Sequence, residues 1–245
     1  MIQIIAITGL PEIKPGDRLP QIIAKHLDRE ETPLLDGDVL VVTQKIVSKA
    51  ENCFVDLRSV RPSPEATALA KEVDKDAALV ELVLRESSAV VRKAPGILIT
   101  RHRLGHVMAN AGIDASNLGS NNGYKLLLLP KNPDLSAKKI SKACGGAVII
   151  SDSFGRPWRM GTVNVAIGVA GMPAMLDQRG SKDRDGRIMQ VTNFALADAV
   201  AGAAGLAMGE GAEGIPACII RGLSFEGAAQ TSEMILRPHA EDLFR

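Results

Sequence analysis

Short apolar runs, bounded by turn-forming or polar residues, are the feature that most constrains the fold of this chain. Runs of this length with such boundaries predict β-strands. Helix-like stretches separate them without a strict alternation of strand and helix, which favours an α+β fold. The runs lie in the stretches IQIIAIT, DVLVVT, GGAVIISDSFGR, VNVAIGVAGMPAM and GIPACIIRGL.

Helical spacing of apolar residues marks several of the stretches between these runs. One helix is predicted over GDRLPQIIAKHLD, with Asp17 available as its N-terminal cap. Helical spacing also continues through residues 64–96 up to a Pro-Gly stop, and an Ala-rich helix is predicted over VTNFALADAVAGAAGLAMGEG. The segment GILITRHRLGHVMANAG predicts a hairpin that turns near Leu104 and Gly105.

Composition narrows the classes of partner. The 29 basic and 28 acidic side chains leave a net charge of +1, so a polyanion such as DNA is not expected. Aromatic residues make up 3% of the chain, which argues against stacking platforms for single-stranded nucleic acid. The three cysteines are far apart and odd in number, which is typical of a reducing compartment rather than of a disulfide framework.

The N-terminal stretch MIQIIAITGLPEI lacks the basic region of a signal peptide and reaches Pro11 early, so it is interpreted as a strand. No apolar run in the sequence approaches the ~20 residues of a membrane span. We therefore expect a cytoplasmic protein with no membrane partner. No repeat or low-complexity linker divides the sequence, and residues 1–245 are treated as one domain.

The segment GEGAEG (209–214) satisfies the G-x-G-x-x-G pattern of dinucleotide-binding loops. That motif needs a strand before it and a helix after it, whereas here the predicted order is reversed. A helix end followed by a turn explains the glycines equally well. Glu210 and Glu213 are nevertheless unusual in a simple turn, because acids flanked by glycines let a metal ion and phosphate approach the backbone.

Three acids follow the ends of predicted elements, where their carboxylates are held with the heads exposed. Asp114 lies in the small-residue stretch NAGIDASN, Asp152 follows the strand AVIIS, and Glu210 follows the Ala-rich helix. Mg²⁺ and Mn²⁺ prefer such oxygen ligands, and the neighbouring Ser153 offers a hydroxyl. Each acid alone is better explained as a cap or a solvated turn, but their combination with small neighbours favours a metal site.

Basic side chains lie near these acids in sequence, as a phosphate-rich ligand requires. Lys45 and Lys49 are four residues apart and share one face if the stretch is helical. For QRGSKDRDGR a solvated charged loop is an equal explanation, and no P-loop motif occurs. The other basic residues are Arg156 and Arg159 in SFGRPWRMG, and Arg179, Lys182, Arg184 and Arg187 in QRGSKDRDGR.

Two histidines and a tryptophan have simpler explanations. His102 and His106 flank the predicted hairpin turn without a nearby Cys or an H-E-x-x-H pattern, so they are interpreted as surface residues. Trp158 is expected in the core or in a pocket wall.

The order of motifs along nearly the whole chain resembles the coenzyme F420-0:γ-glutamyl ligase family. The resemblance implies a GTP-dependent ligase that adds L-glutamate to the lactyl carboxylate of coenzyme F420-0, and then a γ-linked glutamate. It also implies a two-subdomain α+β fold and an intertwined homodimer with the nucleotide groove at the interface. The motifs are GLPEIKPGD, VLVVTQKIVSKAE, NAGIDASN, LLLLP, AVIISDSFGRPWRMG, VAIGVAGM, KDRDGR and MGEGAEGIPACIIRGL.

The resemblance also assigns roles to residues. Asp114 and Asp152 match ligands of one divalent ion, and Ser153 and Glu210 match ligands of a second. Ser153 replaces a frequent Thr with the hydroxyl retained, and Gln44-Lys45 replaces a frequent Ser-Thr pair. The positions that match nucleotide contacts are Leu10, Pro11, Glu12, Ile13, Gln44, Lys45, Lys49, Asn117, Met208, Gly209, Gly211, Ala212, Glu213, Gly214 and Ile215. Small residues beside Asp114 then leave room for a metal–phosphate assembly; these are Ala111, Gly112, Ala115 and Ser116.

The implied mechanism passes through an acyl phosphate. A carboxylate is a poor acyl donor. Transfer of the γ-phosphoryl group from GTP converts it into an acyl phosphate, which the glutamate amine can attack. Two divalent ions, Mg²⁺ or Mn²⁺, would offset the charge of the phosphates, and K⁺ is a further candidate ion. Arg156, Arg159 or Lys182 would stabilise the transferring group or hold the acidic substrates, and the sequence does not distinguish among them.

Other functions stay open at this point. A metal-dependent phosphohydrolase would use the same acids and bases but would release phosphate from GTP without glutamate. A non-catalytic GTP-binding module would bind the nucleotide without turnover. The same ligase scaffold could also act on a different carboxylate, and the number of glutamates added is not readable from the sequence.

Overall fold

The structure is a computed structural model that describes residues 1–118 and 124–243. Within these residues, strands and α-helices mix along the chain without regular alternation, which confirms the predicted α+β class. No helix in the described part is long and apolar enough to cross a membrane. In chain order the elements are β1 (Gln3–Ile7), α1 (Leu19–Arg29), β2 (Val39–Thr43), α2 (Gln44–Ala50), β3 (Phe54–Asp56), α3 (Pro64–Val73), α4 (Ala77–Arg85), β4 (Ser87–Ala94), β5 (Ile97–His102), β6 (Val107–Ala109), β7 (Lys125–Leu127), α5 (Pro133–Cys144), β8 (Ala147–Arg156), β9 (Arg159–Ala170), β10 (Leu176–Asp177), β11 (Asn193–Phe194), α6 (Leu196–Met208) and β12 (Ala217–Arg221).

A five-stranded mixed sheet forms the centre of the fold, in the order β1-β12-β2-β8-β9. Strands β2 and β8 are parallel, and the other neighbours are antiparallel. Residues Val39 to Val42 of β2 are fully buried, since β2 is an inner strand that is covered on both faces. The five apolar runs of the sequence supply all five of these strands.

Helices cover both faces of the central sheet. Because side chains alternate along a strand, Leu40 of β2 packs into the cluster formed with α1 and α5, whereas Val41 packs into the cluster formed with α6. Ile23 of α1 and Val200 of α6 are buried at the centres of these two clusters. Burial on both sides leaves the ends of the strands as the place where polar side chains can gather.

Helices α3 and α4 pack with β5 around a separate apolar cluster that includes Val73, Val83 and Leu98. The prediction of helical structure through residues 64–96 is wrong after Arg85. The stretch ends as a helix at Arg85 and continues as β4, which pairs with β5. Pairing with a neighbouring strand outweighs local helical spacing there, and the β-branched pair Val90-Val91 fits a strand well.

Three local expectations are corrected by the structure. Asp17 does not cap α1, because its Oδ2 accepts a hydrogen bond from the Lys14 N–H at 2.7 Å instead. His102 and His106 are buried, not superficial, at 1% and 7% exposure. Strand alternation places His102 on the same inward face as Leu98. Trp158 is 86% exposed, since it occupies the turn that joins β8 to β9.

The predicted turn between β5 and β6 is confirmed. The His102 N–H donates to the carbonyl of His106 at 2.8 Å, and Gly105 adopts a φ of +94°, in the region that favours glycine. This hairpin leads directly into the NAGIDASN segment and so places Asp114 beside Lys45, which follows β2.

Candidate active site

A cavity of about 930 Å³ opens at the carboxyl end of the parallel strands β2 and β8. In open α/β sheets, ligands usually bind beyond the carboxyl ends of parallel strands, and the parallel pair of this sheet offers such an end. Its walls come from the loop after β1, the start of α2, the segment after β6, the middle of the β8–β9 hairpin and the loop after α6. Segments that are far apart in sequence are thus brought together around one space.

This cavity brings together most of the residues singled out from the sequence. All four metal-ligand candidates line it, which are Asp114, Asp152, Ser153 and Glu210. Every residue matched to nucleotide contacts also lines it, with the exception of Glu213. The Glu213 carboxylate instead accepts a hydrogen bond from the Gly211 N–H at 2.8 Å, a contact that stabilises the conformation of the glycine-rich loop.

The three basic residues considered for catalysis lie elsewhere in the chain. Arg156 and Arg159 face each other across the end of the β8–β9 hairpin, and both are exposed. Lys182 is exposed in the loop between β10 and β11, where it forms a bridge with Ile188. None of the three is among the residues that line the cavity of their own chain in its described part.

Asp114 is held by backbone and side-chain contacts together. Its N–H and carbonyl pair with Leu127 at 2.9 Å each, and its Oδ1 accepts from the Ser116 N–H at 2.7 Å and the Ser116 hydroxyl at 2.8 Å. The Lys45 Nζ lies 2.5 Å from the Asp114 Oδ2. Burial alone would raise the pKa of Asp114, but the hydrogen bonds from Lys45 and Ser116 outweigh burial and lower the pKa below its ordinary value.

The small residues before Asp114 serve the backbone and the packing. Asn110, Ala111 and Gly112 have φ values of +50°, +52° and +68°, so the chain makes a left-handed turn before Asp114. Ala111 is buried in the α3–α4 cluster, and a Cβ at Gly112 would lie 2.8 Å from the Met108 Sδ. These contacts require small residues at both positions, and Gly112 also lines the cavity.

Asp152 lies within β8, which runs on to Arg156, so this acid does not stand at the end of a strand as the sequence pattern predicts. Its pKa is raised to about 7, first by burial and then by the negative charges of Asp114 and Glu210, and a hydrogen bond from the Ser153 N–H opposes this rise. Near neutral pH the carboxyl group is therefore close to its midpoint of ionisation. A nearby cation would favour the ionised form.

Glu210 is positioned by two side chains of the β8–β9 hairpin. Its Oε2 accepts from the Ser153 hydroxyl at 2.7 Å, and its Oε1 accepts from the Asn164 Nδ2 at 2.9 Å. The sequence interpretation missed Asn164, although a single amide inside the apolar run VNVAIGV was an available signal. The Asn164 amide packs against α6 where Gly205 has no side chain, since a Cβ there would lie 2.5 Å from the Asn164 Nδ2.

The chain matches the model of one protein family, F420-0:Gamma-glutamyl ligase, over residues 8–222. Curated relatives named Coenzyme F420:L-glutamate ligase align over almost their full length. The relative from Methanothermobacter thermautotrophicus is 42% identical across 100% of this chain and 99% of its own. The relative from Methanopyrus kandleri is 42% identical across 96% of this chain and 94% of its own, and that from Natronomonas pharaonis is 41% identical across 100% and 95%.

This chain belongs to the F420-0:γ-glutamyl ligase family. The matched region contains every segment of the cavity wall, from Leu10 in the loop after β1 to Pro216 before β12. The cavity is therefore part of the region shared with the family.

The ligand candidates of this ligase-family chain are arranged as two pairs. Within residues 1–118 and 124–243, no three His, Cys, Asp or Glu side chains converge closely enough to enclose an ion by themselves. Asp114 and Asp152 interact through their charges, and Ser153 contacts Glu210 directly. Carboxylate and hydroxyl oxygens suit hard cations, and Mg²⁺ usually binds one or two carboxylates and completes its shell with water and substrate phosphates. The donor set fits that mode of binding.

Proposed function

We propose that this chain is the ligase that joins L-glutamate to coenzyme F420-0, with GTP as the cosubstrate and Mg²⁺ or Mn²⁺ as essential ions. Family membership and the names of its relatives support the reaction class. The observation that supports the site assignment is that the four candidate oxygen ligands and the nucleotide-matched segments line one cavity. K⁺ stays a further candidate ion on the family resemblance alone.

The cavity divides into an acidic wall and a nucleotide wall. Asp114 and Asp152 would hold one ion, and Ser153 and Glu210 would hold the second. The loop after β1, the first turn of α2 and the glycine-rich loop 209–214 would enclose the nucleotide. When bound, the ions would supply positive charge to the phosphates during transfer.

The residues of the chain would contribute mainly position and electrostatics. The γ-phosphoryl group moves from GTP to the lactyl carboxylate, GDP is released, and an acyl phosphate is formed. The glutamate amine then attacks the acyl carbon, inorganic phosphate leaves, and the amine loses a proton as the amide forms. Holding both substrates in one cavity raises their effective concentration and orients the amine toward the acyl carbon.

A homodimer would explain the placement of the basic residues. Arg156, Arg159 and Lys182 are exposed and lie outside the cavity lining of their own chain. If the nucleotide groove lies at a subunit interface, as the family resemblance implies, these residues would reach the phosphates of the partner's site. Residues around α3 and α4 form an apolar cluster separate from those of the central sheet, which supports the two-subdomain organisation.

Mass spectrometry of coenzyme F420-0 incubated with the protein, GTP, Mn²⁺ and L-glutamate tests the reaction. We expect product masses that increase by one glutamyl residue per addition, and no increase when GTP or glutamate is omitted. GTP hydrolysis without any glutamyl product would instead support the phosphohydrolase. Nucleotide binding without turnover would support the binding module, and product formed only with another carboxylate would change the acceptor.

Glu210→Gln is the matched variant for this experiment, because it keeps the size of the side chain and removes its charge. Neutral amides are weaker ligands for hard cations, so kcat should fall by on the order of a hundredfold. The melting temperature without nucleotide should stay near that of the wild type. An unchanged rate at every Mn²⁺ concentration would remove Glu210 from the proposed ion site.

A further inference from the structure

The Lys45 ammonium lies against a carboxylate oxygen of Asp114, the residue that is proposed to bind the first ion. Its ammonium lies 2.5 Å from the Asp114 Oδ2, and it also donates to the carbonyl and the hydroxyl of Ser116 at 2.9 Å each. Both ion-pair side chains are mostly buried, with exposures of 23% and 20%. In the part of the chain that the structure describes, neither Asp152 nor Glu210 forms a salt bridge. The positive charge at the acidic wall therefore comes from Lys45.

A divalent ion and this ammonium cannot both lie against Asp114 at low cost. Donors from Ser116 already use Oδ1, and Lys45 lies on Oδ2. Two cations a few ångströms apart in a partly buried cavity repel each other strongly, because water screens them poorly there. Lys45 is also able to move, since its ammonium is carried on a flexible stem of four carbons.

We propose that Lys45 neutralises Asp114 in place of the first divalent ion, and that binding of this ion moves the Lys45 ammonium from Asp114 to the nucleotide phosphates. This inference rests on the proposed function, because it takes Asp114 as an ion ligand and the cavity as the nucleotide site. Lys45 is then the residue that links the binding of ion and nucleotide. Without nucleotide the displaced ammonium has no new partner, whereas with nucleotide it gains phosphate oxygens.

The rival interpretation is a static ion pair that holds Asp114 in position for the ion. The two interpretations predict opposite changes in the affinity for the divalent ion when the lysine charge is lost. If Lys45 competes with the ion, its removal should strengthen ion binding in the absence of nucleotide. If Lys45 only orients Asp114, its removal should weaken ion binding.

The experiment is a Mn²⁺ titration followed by the electron paramagnetic resonance of free Mn²⁺, on wild type and Lys45→Met, with and without a non-hydrolysable GTP analogue. Without the analogue, Lys45→Met should bind Mn²⁺ on the order of tenfold more tightly than wild type. The enhancement of Mn²⁺ affinity by the analogue should fall by a similar factor, because the variant has no ammonium that the ion must displace and the phosphates can accept. Lys45→Gln should change both quantities in the same direction, because it also removes the charge.

Lys49→Met is the control for general loss of positive charge. Lys49 lies one turn further along α2 and also lines the cavity, but it pairs with Glu12 at 2.6 Å rather than with Asp114. Its loss should change Mn²⁺ affinity without nucleotide much less than the loss of Lys45 does. An equal increase in both variants would show that bulk charge is responsible and would overturn the inference.

Two further outcomes separate this inference from the proposed function. If wild type binds Mn²⁺ and forms the glutamyl product, but Lys45→Met binds Mn²⁺ no more tightly, only the role of Lys45 is wrong. If wild type binds no Mn²⁺ with or without the analogue, the proposed ion site fails and the role of Lys45 fails with it.

Discussion

Asp114 and Asp152 show how strongly the charge of a single residue depends on its neighbours. Both carboxyl groups face the same cavity, yet their pKa values move in opposite directions. For Asp114, hydrogen bonds from Lys45 and Ser116 outweigh burial, whereas Asp152 has the negative charges of Asp114 and Glu210 added to its burial. The two acids are therefore not equivalent in charge near neutral pH.

A pH dependence of stability follows for the metal-free protein. The pKa of Asp152 is about 7 in the folded chain against an ordinary value of 3.8, so between these values the folded state binds more protons than the unfolded state. Stability contributed by this group therefore falls as pH rises from about 4 to about 7. Asp152→Asn should remove that decline, as measured by urea unfolding in EDTA from pH 5 to pH 8. The same decline in the variant would show that another group causes it.

Sequence reasoning at the residue scale found the acids but not their partners. The positions of Asp114, Asp152 and Glu210 near the ends of elements were enough to mark them as candidates. The contact of Lys45 with Ser116 spans 71 residues of sequence, and no local pattern encodes it. The sequence also does not show why Ala111 and Gly112 are small, because this depends on which side chains of other elements pack against them.

At the scale of elements, helix α6 carries two glycines with different surroundings. A Cβ at Gly205 would lie 2.5 Å from the Asn164 Nδ2, whereas the nearest atom to a Cβ at Gly202 is the Asn164 carbonyl oxygen at 3.7 Å. Alanine is better than glycine inside a helix by roughly 0.8–1.0 kcal/mol. At Gly205, unlike Gly202, the added methyl group would collide with the Asn164 amide that donates to Glu210.

The two alanine variants should therefore separate stability from turnover. Gly202→Ala should raise the stability by about 1 kcal/mol and keep full activity. Gly205→Ala should push the Asn164 amide away from Glu210 and lower kcat on the order of tenfold or more, with little loss of stability, because the displaced group is the end of a side chain. Melting curves and glutamyl-transfer rates for both variants provide the measurement. Equal rates would show that Asn164 does not position Glu210.

Element prediction succeeded where one local pattern decided the outcome. The strands of the central sheet were predicted correctly, since each is a short apolar run with clear boundaries. The stretch 64–96 was predicted wrongly because β4 is selected by its pairing with β5, and the pairing partner lies outside the local window. The order of strands in the sheet was not predicted, because it depends on contacts such as that between β1 and β12.

At the scale of the whole molecule, the tip of the β8–β9 hairpin is unfavourable for an isolated chain. Trp158 has a φ of +65°, a region that is unusual for a bulky residue, and it is 86% exposed. The nearby Met160 is 97% exposed. Large apolar side chains that are exposed at a strained turn are expected to be covered in the functional assembly, which supports the proposed homodimer.

Trp158→Gly tests this expectation, since glycine adopts the positive φ without strain and removes the apolar surface. The variant should keep or gain stability as a folded chain, and its dimer should dissociate at a protein concentration at least tenfold higher than wild type does. Light scattering across a dilution series measures both proteins. A monomeric, active wild type would contradict the dimer, and an unchanged dissociation constant would exclude the hairpin tip from the interface.

The place of β12 between β1 and β2 has a consequence for synthesis of the protein. The ribosome makes β1 and β2 first, but β12, the strand that separates them in the sheet, is made after the other four strands of that sheet. The segment just before it, from Met208 to Pro216, is also one wall of the cavity. A nascent chain that stops before Met208 therefore lacks both the strand that joins β1 to β2 and one wall of the cavity, so the complete cavity can form only after residues up to Pro216 have been translated.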